Sequence, residues 1–114
     1  MKYFLINWSD NWADEMECYS VEVMNEKELN EFTDWLMDKK DWLDSWGEDG
    51  WECYIGSNEA NYYTYDDLKD FIDCAKEITE EDYNAFMRMF DGSTFGEFNS
   101  QDIMYRIDQE IADE

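Results

Sequence analysis

A chain of 114 residues with 31 Asp and Glu, eight Lys and Arg and no His carries a formal charge of -23. Nucleic acid and anionic membranes are excluded as natural partners, because affinity for phosphate comes from Lys and Arg. The length suits one acidic domain over residues 1–114, and 18 % aromatic residues supply the core material that disordered acidic tails lack.

Lys2 to Trp8 reads as a strand, with Tyr3, Phe4, Leu5 and Ile6 suited to a half-buried sheet. Ser9 to Asp14 is polar and predicts a loop. Met16 to Val23 predicts a second strand, antiparallel to the first, with Tyr19, Val21 and Val23 on the core side by the two-residue period. Asn25 followed by Glu28 forms a capping box. It opens a helix to about Lys40 that places Leu29, Phe32 and Leu36 on one side.

Gly47 and Gly50 punctuate the next stretch. Trp51 to Ile55 predicts a third strand and Tyr62 to Tyr63 a short fourth. Thr64 with Asp67 is a second capping box, leading a helix to about Glu77 with the stripe Leu68, Phe71, Ile72 and Ala75. Thr79 with Asp82 starts a third helix carrying Tyr83, Phe86, Met87 and Phe90, stopped at Gly92. Ser93 to Phe98 reads as a loop, and Asn99 or Ser100 caps a last helix in which Ile103, Ile107 and Ile111 recur. These elements describe an α+β fold: a small, mainly antiparallel sheet of three to four strands with about four helices packed on one face.

The cysteines, Cys18, Cys53 and Cys74, are odd in number and scattered. That pattern fits reduced thiols in a cytosol rather than a secreted disulfide scaffold. The apolar run at the N-terminus is too short for a signal peptide, and no stretch approaches the roughly 20 apolar residues of a membrane span.

The acids are ordered. Asp66, Asp70, Asp73 and Glu77 recur at intervals of four, three and four, which at helical spacing confines them to an arc of roughly 60° opposite the apolar stripe. Glu31, Asp34, Asp38 and Asp41 repeat the pattern on the preceding helix, with Trp35, Trp42 and Trp46 on its flank. An ordinary solvated face interleaves both signs, and here Lys39, Lys40, Lys69 and Lys76 supply little balance. In the segment Lys39 to Glu52, Trp42, Trp46 and Trp51 alternate with Asp41, Asp44, Glu48, Asp49 and Glu52. Trp is enriched at binding hot spots and stacks on Arg or Lys, although filling the edge of a small core would use the same residues. Either Trp42 or Trp46 is expected to be partly exposed.

Sites of other chemistry find little support. Asp41 to Glu52 has the length of a calcium loop, but Leu43 and Ser45 occupy its third and fifth positions and Asp44 is misplaced between them. Zinc clusters lack His and closely spaced Cys. No His is present to activate a Ser or Cys nucleophile, Gly92-Ser93-Thr94-Phe95-Gly96 places Thr where a nucleophile elbow needs Ser, and no glycine loop cradles a phosphate. A non-enzymatic binding protein without metal or cofactor is expected.

Charge sets the comparison that matters. Duplex DNA carries one charge per about 1.7 Å, so a charge of -23 corresponds to about 39 Å of duplex, or roughly 12 base pairs. A compact chain of this length is roughly 35 Å across, giving it a linear charge density close to that of DNA.

In size, charge and ordered acids the whole chain resembles the small acidic DNA-mimic proteins of phages and mobile elements, the anti-restriction and anti-CRISPR class. The resemblance implies an inhibitor that occupies the basic nucleic-acid cleft of a host defence nuclease, as monomer or homodimer, without touching nucleic acid. The residues expected to meet such a partner are Glu31, Asp34, Asp38, Asp41, Trp42, Asp44, Trp46, Glu48, Asp49, Asp66, Asp70, Asp73 and Glu77. The alternative is an immunity protein or antitoxin that plugs a basic nuclease active site through a smaller cluster. A halophilic surface fits poorly with so many large apolar side chains.

Overall fold

The computed structural model describes residues 1–8, 20–54, 60–96 and 99–114. The loop expected at 9–14, the start of the second strand at 16–19 and the end of the third at Ile55 lie outside these residues. The elements follow in the order β1 (Tyr3–Asn7), β2 (Val21–Asn25), α1 (Glu26–Asp38), α2 (Lys40–Asp44), β3 (Trp51–Cys53), β4 (Asn61–Tyr63), α3 (Tyr65–Asp73), β5 (Lys76–Ile78), α4 (Glu80–Met89), β6 (Thr94–Phe95) and α5 (Ser100–Ala112). One antiparallel sheet has the order β5-β1-β2-β6, and β3 and β4 form a separate antiparallel pair. The fold is α+β, with helices packed against the sheet.

Strand alternation gives the four-stranded sheet two covered faces. β1 and β2 pair with Phe4 opposite Met24 and Ile6 opposite Glu22. On that face Ile6, Trp8 and Met24 meet Phe32 and Leu36 of α1, Leu43 of α2, Leu68 and Ile72 of α3, Trp51 and Tyr63 of β3 and β4, and Ile103 and Ile107 of α5. The opposite face carries Tyr3, Leu5 and Val23 beneath α4, where the Tyr3 and Tyr83 ring centroids are 4.7 Å apart. Two expectations change here. Helices cover both faces, and the Val21 and Val23 face of β2 lies away from the main core, while Glu22 points into it.

The helix starts are set locally. The reciprocal capping boxes at Asn25–Glu28 and Thr64–Asp67 both form, and Thr79 and Asn99 accept the backbone N–H of Asp82 and Asp102. The ends are less regular. The first helix breaks at Lys39, whose N–H is shared between the Trp35 and Leu36 carbonyls at 3.2 and 3.1 Å, so that Asp41 belongs to a separate short helix.

α3 stops at Asp73, four residues short of the expected Glu77. Lys76–Ile78 instead add an edge strand to β1, and satisfying that ladder outweighs a weak helical preference. α4 ends in a Schellman arrangement in which the Gly92 N–H donates to the Met87 carbonyl at 3.1 Å. The left-handed residue there is Asp91, at φ 53°, and not Gly92. Part of the expected loop after it, Thr94–Phe95, pairs with β2.

Gly50, at φ 95°, is fixed by close approach as well as by conformation. A Cβ there would lie 2.7 Å from the Thr64 nitrogen and nearer still to the Tyr63 carbonyl. Gly50→Ala is therefore expected to destabilise the fold by at least about 1–3 kcal/mol, measured as a lowered urea midpoint.

Glu22 is 4 % exposed, and its carboxylate accepts three hydrogen bonds. The Trp8 indole N–H and the Ser100 backbone N–H reach Oε1 at 3.0 and 2.8 Å, and the Ser100 hydroxyl reaches Oε2 at 2.6 Å. Burial, the largest effect, raises its pKa above the ordinary 4.5; the bonds from Ser100 and Trp8 oppose the rise and the charge of Glu28 adds to it. The folded chain thus holds this proton more tightly than the unfolded chain. The group's contribution to stability is fully present below the ordinary pKa and is lost as pH rises through the raised folded value.

Glu22→Gln keeps an acceptor for both N–H donors, and its amide can donate to a rotated Ser100 hydroxyl. It is expected to retain the fold and flatten this part of the stability–pH curve. Glu22→Leu strands the donors and is expected to cost about 1–3 kcal/mol for each one left unmet. Urea titrations between pH 4 and 8 separate the two.

Candidate acidic interaction surface

The outward acids follow from what the helices bury. Phe32 and Leu36 turn α1 toward the core and leave Glu31, Asp34 and Asp38 exposed. Tyr65, Leu68 and Ile72 do the same for Asp66, Asp70 and Asp73 of α3. α1 and α3 pack against one another on the same side of the sheet, and α2 touches both. The exposed Asp41 and Asp44 of α2, with Glu48 and Asp49 in the following turn, extend the surface. Glu77 does not join it, since it sits in edge strand β5 with its carboxylate 3.8 Å from Lys2 Nζ.

Ion pairing sorts these carboxylates. Lys27 lies 3.9 Å from Glu31, Lys39 3.2 Å from Asp38, Lys40 2.7 Å from Asp44 and Lys69 3.0 Å from Asp73. Among the described residues no cation stands at ion-pair distance from Asp34, Asp41, Glu48, Asp49, Asp66 or Asp70. Lys40 bridges the two halves of the surface. Its Nζ lies 5.4 Å from the Tyr65 ring centroid, and its pKa is raised by the hydrogen bond and charge of Asp44, with smaller effects from Asp41 and Asp66. Lys69 is raised in the same way, mainly by Asp73.

The tryptophans divide differently from the expectation of a shared binding edge. Trp51 is buried in β3 and donates its indole N–H to Glu110 at 3.2 Å. Trp42 is half-buried, donates to Glu114 at 2.8 Å and packs edge-on against Trp46. Trp35 donates to Asp108 at 3.2 Å. Trp46, 41 % exposed, is the tryptophan of this segment that stays open to a partner.

Sequence reasoning missed the acids that serve the fold. Asp108, Glu110 and Glu114 receive indoles, and Glu22 anchors α5. No local signal separates these four from the rest of the 31 acids, because their partners are distant in sequence. Among the described residues, no group of three or more His, Cys, Asp or Glu is placed to hold a metal ion, and no helix is long and apolar enough to cross a membrane. Compared with known proteins, the chain matches no family model, no curated protein and no solved structure.

If the unpaired acids are held in place against their own repulsion, removing one should help the fold. Asp70 stands one turn from both Asp66 and Asp73, and each such like-charge contact costs about 0.2–0.5 kcal/mol. Asp70→Asn is expected to gain about 0.5–1 kcal/mol at low salt, fading in 1 M NaCl as the charges are screened. Asp66→Asn should gain less, since Asp66 also lies in the first turn of α3, where the helix dipole favours a negative charge. Thermal melts of the two variants at both salt concentrations test the difference.

Proposed function

We propose that the chain is a DNA-mimicking inhibitor that occupies the basic nucleic-acid cleft of a host defence nuclease, a CRISPR effector or restriction enzyme, and so blocks DNA binding. The observation that carries this reading is the set of six exposed carboxylates, on α1, α2, α3 and the intervening turn, that have no cation at ion-pair distance among the described residues. They belong to a body whose longest extent is 41 Å with a charge of -23. That is nearly the length of duplex DNA, about 39 Å, that carries the same charge.

In this mechanism Asp34, Asp41, Asp66 and Asp70 pair with the Lys and Arg that otherwise hold phosphates. Glu48 and Asp49 extend the row, and Trp46 stacks on a guanidinium or alkyl stem. The complex forms fast at low salt and more slowly as salt rises. A narrower reading draws on the grouping of Trp46 with Asp44, Glu48 and Asp49. A single aromatic anchor ringed by acids suits an immunity protein that plugs a nuclease active site.

Capture experiments from lysates of cells with restriction and CRISPR systems, with and without competing duplex DNA, distinguish the two. A basic nuclease or effector that is captured and then displaced by DNA is the expected result. Capture that DNA does not disturb favours the immunity reading, and failure to capture any basic nucleic-acid-binding protein overturns both. With the target in hand, the fourfold variant D34N/D41N/D66N/D70N is expected to lose about 1–4 kcal/mol of binding, roughly fivefold to nearly a thousandfold.

A further inference from the structure

On the other side of the sheet the chemistry changes. Phe86 of α4 and Phe90, the residue that caps its C-terminus, have ring centroids 4.7 Å apart, and Phe90 and Phe95 of β6 are 4.9 Å apart. Phe90 is 41 % exposed, Phe95 47 % and Met89 69 %. α4 is amphipathic, yet none of its residues is fully buried, and β6, at the sheet's edge, is two residues long. Three contacting phenylalanines with a methionine beside them form a contiguous apolar patch, of the kind that marks an interaction site. Methionine adds a side chain that adapts to its partner.

The patch has a charged frame of one sign. At 100° per residue Asp82 lies within about 40° of Phe86 and 20° of Met89, and Asp91 follows Phe90 directly. Both are exposed, and neither has a cation at ion-pair distance among the described residues. Arg88, the cation of α4, falls roughly 160–200° around the helix from Phe86 and Phe90. A second copy of the chain brings another -23 charges to the same place and is repelled, as is an anionic bilayer. Large apolar groups flanked by positive charge fit on both counts.

We infer that the face formed by Phe86, Met89, Phe90 and Phe95 is a second docking surface, which takes an amphipathic, Lys- or Arg-bearing helix of a partner protein. Apolar side chains of that helix cover the three rings, and its cations meet Asp82 and Asp91. This is helix-in-groove recognition, on the opposite side of the sheet from the acidic rows of α1 and α3 and independent of the mimicry reading.

The test titrates the full chain into a labelled amphipathic Leu/Lys helical peptide at physiological salt, with a scrambled peptide of the same composition as control, followed by fluorescence anisotropy. The chain is expected to bind the amphipathic peptide in preference to the scrambled one. F90S/F95S should weaken binding about tenfold or more, the effect of losing a hot spot. Met89→Arg should do likewise, and because this side chain is mostly in solvent the substitution leaves the fold intact. D66N/D70N, on the far side, should change binding by no more than about threefold, since charges beyond a Debye length are largely screened.

Equal binding of the two peptides overturns the inference, as does wild-type affinity in Met89→Arg and F90S/F95S, or loss of binding in D66N/D70N alone. Sedimentation in 1 M NaCl addresses the remaining occupant. A dimer that F90S/F95S dissociates would assign the patch to a second copy instead.

Discussion

The carboxylate of Glu22 holds the sheet and the last helix in one arrangement. It is buried in a chain that already carries an excess of negative charge, where an unmet carboxylate would cost far more than a fold of this size can lose. Three donors make it tolerable, and they come from two distant places: the indole of Trp8 just past β1, and the backbone and hydroxyl of Ser100 at the first turn of α5. The helix N-terminus adds its own preference for a negative charge. A one-residue slip of β2 would put Val21 or Val23 in this position and leave those donors empty. Glu22 therefore specifies register and docking together, and the burial of Ile103 and Ile107 follows from where Ser100 is held.

The same problem recurs across the molecule and receives the same answer. A chain with 31 acids and eight cations cannot bind its elements together with conventional ion pairs, and those it has are exposed and worth little. The indole N–H is a donor without charge that brings its own apolar surface. Trp8, Trp35, Trp42 and Trp51 each direct it at a carboxylate, and three of these carboxylates are on or just beyond α5. The last helix is thus tied to α1, α2 and β3 by aromatic donors. The abundance of tryptophan, which read from the sequence as an apolar complement to a binding surface, is in large part internal structure.

What could be read from the sequence was what is decided locally. Caps three residues apart located the starts of α1, α3 and α4, the choice between Asn99 and Ser100 located that of α5, and the stripes Phe32–Leu36, Leu68–Ile72 and Ile103–Ile107 identified buried sides. Period-two alternation read β2 as a strand with Val23 on a buried face, as it is, but missed that the face of Glu22 and Met24 meets the larger core. In Val21-Glu22-Val23 the apolar pair looked like the inner face, and only donors distant in sequence, Trp8 and Ser100, make the inward carboxylate tolerable. The end of α3 was hidden for a related reason: Cys74 and Ala75 contain no breaker, and the strand at Lys76–Ile78 exists because β1 offers an unpaired edge. The candidate acids on α1 and α3 were legible because helical spacing fixes an exposed face, whereas Glu77 was lost with the turn of helix that was to carry it.

The remaining question is why the fold keeps acids that it does not use. Many have local work: Glu26, Glu28, Asp67, Glu80, Glu81, Asp82 and Asp102 lie in first helical turns, where the dipole stabilises each by about 0.3–1 kcal/mol. Glu31, Asp38, Asp44 and Asp73 have lysines. Among the described residues Asp34, Asp70, Glu48 and Asp49 have neither, and like charge on a chain of this sign works against the compact state. In the mimicry proposed above, the cations of a basic cleft turn that repulsion into attraction on binding. Such charges set the rate and orientation of encounter, while apolar contact sets how long a complex lasts. The two sides of the sheet hold these two kinds of surface apart: carboxylates over α1 and α3, and contacting phenylalanines at the edge of α4 and β6. In the proposed mechanism the first draws in a basic target by charge, and the second is left free for an apolar contact.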